Sequence, residues 1–296
     1  MRKKIDINKE WQFHKGDISF DEIAGCEWED VTLPHTWNNL DGQDGGNDYY
    51  QGRAWYRKIL SKELIPEGFD KDVLIRFGAA SKRAEIYLDG ELIGSHEGGF
   101  AAFTIRLTDK LGEGDAELLV MADNSKDLPI YPMQADFTFF GGLYRGVSLM
   151  CFDCSDHFKA DEYGADAIFI TSSPEGKVTL RTALDSGESK ALVNVRVYEG
   201  TGADKKLVTK INDLLMKKNA GGLLEGNISV ENAKLWDGVA SPCLYTLEMD
   251  LGDGVEGPFS DRISATFGFR SFRVDIDEGF FLNGRSYPLH GGNPGV

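Results

Sequence analysis

Apolar and polar residues alternate along most of this chain with a period of two, as expected of strands that turn one face to a core and the other to water. Val178, Leu180 and Thr182 alternate with polar neighbours, Val193, Val195 and Val197 with Asn194, Arg196 and Tyr198, and Tyr245, Leu247, Met249 and Leu251 with Thr246, Glu248 and Asp250. Ala84 to Leu88 and Glu91 to Gly94 flank Asp89-Gly90, and Phe280-Phe281-Leu282 and Arg285-Ser286-Tyr287 flank Asn283-Gly284. Two-residue turns of this kind predict hairpins, because both turn positions need positive φ and Asn, Asp and Gly tolerate it best. Helical spacing is confined to short stretches such as Asp213 to Lys218, which a loop would serve as well.

The alternation lapses between Phe152 and Lys159, where Asp153, Ser155, Asp156 and His157 cluster, and again between Arg273 and Glu278. A chain of 296 residues exceeds what one hydrophobic core usually supports. The expectation is therefore all-β, with a two-sheet jelly roll over residues 1–155, an immunoglobulin-like sandwich over 156–275 and a short remainder over 276–296. The 35 glycines against 9 prolines fit tight turns between strands.

A formal charge of -16 repels phosphate backbones, and no basic stripe offsets it, so no nucleic-acid partner is expected. No window is long and apolar enough to span a membrane, and Met1-Arg2-Lys3-Lys4 leads into no apolar targeting run. The expected location is the cytoplasm, with no membrane partner. Cys26, Cys151, Cys154 and Cys243 are too scattered for a disulfide framework. Cys151 and Cys154 form a C-x-x-C pair without a second pair, and are read as strand-end thiols. The five histidines have no ligand spacing and no loop has calcium spacing, so neither metal nor cofactor is expected.

The informative clusters of the first 155 residues are aromatic and glycine-rich. Leu33-Pro34-His35-Thr36-Trp37-Asn38 precedes the polar loop Asp41 to Asp48, and Ala54-Trp55-Tyr56-Arg57 follows it. A polar loop between aromatic anchors suits a sugar, whose C–H faces pack on rings while carboxylates and amides bind hydroxyls. Each of Trp37, Trp55 and Tyr56 taken alone is expected to be a core anchor.

Taken in order, these segments resemble glycoside hydrolase family 2. The resemblance runs from Pro34-His35-Thr36-Trp37 through Tyr50 to Arg57, Phe77 to Ala80, Tyr87 to Gly90, Gly94 to Phe100, Phe139 to Arg145, Leu235-Trp236 and Pro242 to Tyr245, to Phe267 to Arg270. It implies an amino-terminal sugar-binding jelly roll (galactose-binding-like), an immunoglobulin-like sandwich, and, from Phe280 to Asn293, a short stub of a missing (β/α)8 barrel. Within the family the chain looks more like β-galactosidases than β-glucuronidases. The resemblance also implies a retaining mechanism with two glutamates on the barrel, neither of which is assigned to a residue here. No catalytic residue is expected in this chain, which alone should be inactive. Asp136 resembles a carboxylate that reaches the galactosyl subsite, and Asn47 and Asp48 are the loop candidates for binding a carbohydrate substrate. Three other readings stay open, a β-glucuronidase-like family member, a stand-alone carbohydrate-binding module or lectin, and a scaffold that packs on a barrel or a second subunit, so a homo-oligomer is compatible.

Overall fold

In the computed structural model, residues 1–41, 49–133, 137–252 and 258–291 are described. Ten strands build the first sandwich: β1 (Arg2–Asp6), β2 (Trp11–Lys15), β3 (Glu29–Val31), β4 (Arg53–Leu60), β5 (Asp72–Phe77), β6 (Arg83–Leu88), β7 (Glu91–Glu97), β8 (Phe103–Arg106), β9 (Ala116–Asp123) and β10 (Val147–Phe152). They form a four-stranded sheet, β1-β10-β5-β8, and a six-stranded sheet, β3-β2-β4-β9-β6-β7. Alternate residues supply the core between them: Ala54, Tyr56 and Leu60 with Leu118, Val120 and Ala122 from one sheet, Val73, Ile75, Phe77, Leu149 and Cys151 from the other. Leu74, Met150 and Phe152 point the other way and are covered by Ala160. Strands β5 and β10 are thus buried on both faces, which is why Leu149 to Phe152 reads as a continuous apolar run. Trp37, Trp55 and Tyr56 are all buried. Burial pushes the Cys151 thiol up to about 11, so it stays a neutral core side chain.

The second sandwich contains β11 (Ile168–Ser172), β12 (Lys177–Thr182), β13 (Lys190–Glu199), β14 (Lys206–Lys218), β15 (Leu224–Ser229), the short pair β16 (Trp236–Asp237) and β17 (Ser241–Pro242), β18 (Tyr245–Leu251) and β19 (Asp261–Phe267). Seven of these run in the order β11-β12-β15-β14-β13-β18-β19. Only Lys217 and Lys218 of β14 reach β15, so the sheet divides into layers of three and four strands stitched at one corner. Val178 and Leu180 from one layer meet Val193, Val195, Val197, Leu247 and Met249 from the other. The stretch Asp213 to Lys218, the best helical candidate in the sequence, is the end of β14. Its register shifts against β13 between Val193 and Val195, Asp213 has φ 53°, and its N–H donates to Asn194 Oδ1 at 3.0 Å. That bulge breaks the period of two and mimics a longer repeat.

Three last strands, β20 (Phe272–Asp275), β21 (Gly279–Leu282) and β22 (Arg285–Ser286), form their own sheet. The turn between β21 and β22 has positive φ at both Asn283 (49°) and Gly284 (78°), as the Asn-Gly pair predicts. An isolated hairpin is marginal in water. This one is tied back: Asn283 Nδ2 donates to Trp236 O at 3.1 Å and Asp237 Oδ1 at 3.2 Å, Arg285 pairs with Asp237, and Leu282 is buried. Among the described residues no helix is long and apolar enough to cross a membrane.

Candidate functional site

Asn47, Asp48 and Asp136, the residues singled out by the sequence, lie outside the described residues. The chain on either side of them is described, and it converges on one platform. Asn38 is fully buried and uses both ends of its amide. Its Nδ2 donates to Asp41 Oδ1 and to Tyr50 O, each at 2.9 Å. Its Oδ1 accepts from Gly141 N at 2.8 Å and Asn124 Nδ2 at 3.2 Å. Asp41 Oδ2 accepts the Tyr50 N–H at 3.1 Å, linking the residues that bracket positions 42–49. On the other side, Phe139 O accepts from Tyr49 OH at 2.7 Å and from Asn124 Nδ2 at 2.9 Å. The approaches to both candidate segments are therefore pinned to each other through Asn38, Asn124 and Tyr49.

Local sequence explains why the chain can close so tightly here. A Cβ at Gly141 would run into the Trp37 ring, and Gly142, with φ +111°, would place one 2.8 Å from His35 O. Above the platform Phe100 and Phe137 are exposed and meet edge-on at 6.5 Å, and Phe137 leans on Phe139 at 5.2 Å. The buried Lys82 ammonium lies 4.4 Å from the Phe139 ring centre. Burial lowers its pKa, with the charge of Asp123 opposing. The exposed Phe100 and Phe137 rings can pack on the C–H face of a sugar, whereas Asn38, Asn124 and Lys82 are buried and brace the platform from within. The two asparagines of the floor escaped sequence reasoning. The signal available was weak: Asn38 follows the Pro-His-Thr-Trp motif, and Asn124 ends the apolar strand β9.

A second cluster of titratable groups sits where the two sandwiches meet. Asp72, at the start of β5, is buried and accepts from Thr108 and Arg106, and His157 Nε2 lies 3.0 Å from its Oδ2. The His157 ring stacks on Phe152 at 3.6 Å, and its Nδ1 lies 3.0 Å from Phe158 O. Arg106 also donates to Asp185 at 2.6 Å. Nearby, Arg2 binds Asp261 and, at 2.8 Å, Asp166, and Arg76 binds Asp166 at 3.1 Å. Asp72, His157 and Asp185 offer three ligand atoms within 4.8 Å of one another. The guanidinium of Arg106 already binds both carboxylates, so the cation of this cluster is supplied by the protein and the donor set does not suit a metal.

Burial alone raises the Asp72 carboxyl, but bonds from His157 and Thr108 and the charge of Arg106 outweigh it and hold it below the usual carboxylate range. Asp250, buried in the second sandwich between Arg262 and Arg196, is lowered against the same burial cost. A depressed folded pKa stabilises above the unfolded value, about 3.9 for Asp, and the stabilisation is lost as pH falls through the folded one. The urea midpoint should accordingly be insensitive to Asp72 and Asp250 between pH 7 and 5 and fall steeply below about pH 4. Asp72→Asn should flatten that acid limb; an acid limb of unchanged slope would remove Asp72 from its cause.

Residues 165–270 match the family model described as glycosyl hydrolases family 2. A β-glucuronidase of Bacteroides fragilis is 32% identical over 298 residues, which are 98% of this chain and 41% of that protein. A β-galactosidase of Thermoanaerobacterium thermosulfurigenes is 32% identical, covering 99% of this chain and 40% of its own length. Among solved structures, a Bacteroides uniformis β-glucuronidase superposes with a TM-score of 0.80 at 31% identity, over 98% of this chain and 35% of that one. The chain thus spans about two-fifths of the curated relatives it matches. By its matched segment, its two sandwiches and relatives that follow it from end to end, this chain belongs to glycosyl hydrolases family 2.

Proposed function

We propose that these residues are the non-catalytic sandwich portion of a retaining glycoside hydrolase acting on β-galactosides, with residues 1–155 as the sugar-facing unit, 156–275 as the spacer sandwich and 276–296 as the lead into the catalytic unit. The observation that carries this reading is that both sandwiches and the terminal sheet align, over nearly the whole chain, with β-galactosidases and β-glucuronidases. Retention needs two carboxyl groups about 5 Å apart across the scissile bond, which this reading assigns to residues other than these. Asp136 then contributes a carboxylate to the hydroxyls of the bound sugar, and the Asn38–Asn124 platform fixes the direction from which its segment approaches. A β-glucuronide is the second reading, favoured by the 32% identity to the B. fragilis β-glucuronidase. Cytoplasmic location is part of the proposal.

The test uses p-nitrophenyl β-galactoside and β-glucuronide side by side. Residues 1–296 alone should hydrolyse neither. In the full-length protein Asp136→Ala should lower kcat/KM roughly 100-fold, as for loss of one transition-state hydrogen bond to a charged group, with an unchanged urea midpoint. Activity of residues 1–296 that vanishes on mutating one of their own carboxylates would sink the non-catalytic assignment. Preference for the glucuronide would replace the substrate and leave the rest standing.

A further inference from the structure

Lys82 is a cation placed where a cation is costly. It is 3% exposed, and its backbone is engaged on both sides: its N–H donates to Asp123 O at the end of β9, and its O accepts from Gly98 N at 2.8 Å, in the turn that leads to Phe100. Its ammonium has three N–H groups to place. The hydrogen bond it makes among the described residues is a long one, to Ser125 O at 3.5 Å. Asp123 draws it by charge, but one oxygen of that carboxylate takes the Ser125 hydroxyl and N–H, the latter at 2.8 Å, and the other faces Arg53 at 3.6 Å. What remains for the ammonium is the face of Phe139, whose ring centre is 4.4 Å from Nζ.

Phe139 is in turn the fixed point of its segment. Its O accepts from Tyr49 OH and Asn124 Nδ2, and its ring supports Phe137 at 5.2 Å, which meets Phe100 at 6.5 Å. Lys82 therefore grips two separate stretches of chain, Gly98 to Phe100 by its backbone and Phe137 to Phe139 by its charge. A methionine would fill the same space without the desolvation that lowers the Lys82 pKa, so packing alone gives no reason for a charge here. A desolvated ammonium on an aromatic face supplies one, because it fixes the orientation of the ring as well as its burial.

We propose that Lys82 is a positioning residue for the sugar, acting through the Phe139 ring to set the direction from which Phe137 and the adjoining Asp136 approach. The proposal rests on the reading that gives Asp136 to the sugar. Lys82 is buried and touches no substrate itself, and its grip on Phe139 is built wholly within the first sandwich, so it needs no open surface.

Steady-state kinetics of the full-length protein test this, on whichever of p-nitrophenyl β-galactoside and β-glucuronide it cleaves faster. Lys82→Met should lower kcat roughly ten-fold with KM little changed, a displacement well short of the roughly 1 Å that costs about 100-fold. The urea midpoint should stay level or rise, because a buried charge has been removed. Phe139→Leu should have the same effect, and the two changes together should lower kcat no further than either alone. In the Asp136→Ala background Lys82→Met should change kcat/KM less than about two-fold. A fully active Lys82→Met overturns the proposal, as does a loss of activity that comes with a lowered midpoint or one that persists undiminished without Asp136. Unchanged kinetics of Asp136→Ala would bring down the Asp136 reading and the role of Lys82 with it, whereas a fully active Lys82→Met in a protein that needs Asp136 brings down the role of Lys82 alone.

Discussion

Replacing Asp72 with alanine should lower the free energy of unfolding by about 3–5 kcal/mol, the range for removing one partner from a buried charged network. Asp72 is 2% exposed, and its two oxygens are the meeting point of Thr108, Arg106 and His157. Without it, Arg106 keeps Asp185, but His157 and Thr108 lose the carboxylate they face in a place water reaches poorly. The contrast with Asp185→Ala isolates the cause. Asp185 shares Arg106 but is 21% exposed in its side chain, and a pair of that kind is worth about 1 kcal/mol or less. Urea unfolding of both variants at pH 7 decides the matter. If Asp72→Ala costs no more than Asp185→Ala, the junction is held by the Leu74, Met150, Phe152 and Ala160 packing and the ionic cluster is incidental.

The same residues mark what the amino-acid sequence does and does not reveal. Period-two alternation locates the strands of the second sandwich because each presents one face to a single core: Val193, Val195 and Val197 are fully buried while Arg196 and Tyr198 are half-buried. It fails at β14, where a bulge shifts the phase, and at β5 and β10, where both faces are covered. The Asp89-Gly90 and Asn283-Gly284 hairpins are legible because turn geometry is decided by the turn residues themselves. Partnerships across long separations are not. Asp72 meets His157 from 85 residues away, and Asn38 meets Asn124 and Gly141 from 86 and 103. Nothing in the composition of either segment announces the other. Family resemblance supplied Asn47, Asp48 and Asp136, whereas the groups that brace their surroundings emerged only from the folded arrangement.

Asn38→Ala is the sharpest test of that bracing. The Gly141 N–H and the Asn124 amide would lose their acceptor, and each buried polar group left unpaired costs about 1–3 kcal/mol, so a loss on the order of 4 kcal/mol is expected. Tyr50 O is spared, because Trp37 Nε1 also donates to it at 3.3 Å, and Asn124 Nδ2 keeps Phe139 O. The damage should be local. Hydrogen exchange should show lost protection at Gly141, while amides of the β4–β9 ladder around Tyr56 stay protected up to the global unfolding free energy. Asn38→Asp gives a complementary signature: it keeps an acceptor for Gly141 but places a carboxylate where Nδ2 now bonds Asp41 at 2.9 Å. A buried carboxylate that close to the partly buried Asp41 has its pKa raised, so the variant should be least stable at neutral pH and recover as pH falls toward 5, opposite in sign to the acid dependence set by Asp72. A Gly141 amide as slow to exchange in Asn38→Ala as in the wild type would show that the platform stands without Asn38, and that the approaches to Asn47, Asp48 and Asp136 are fixed by the Trp37–Gly141 packing instead.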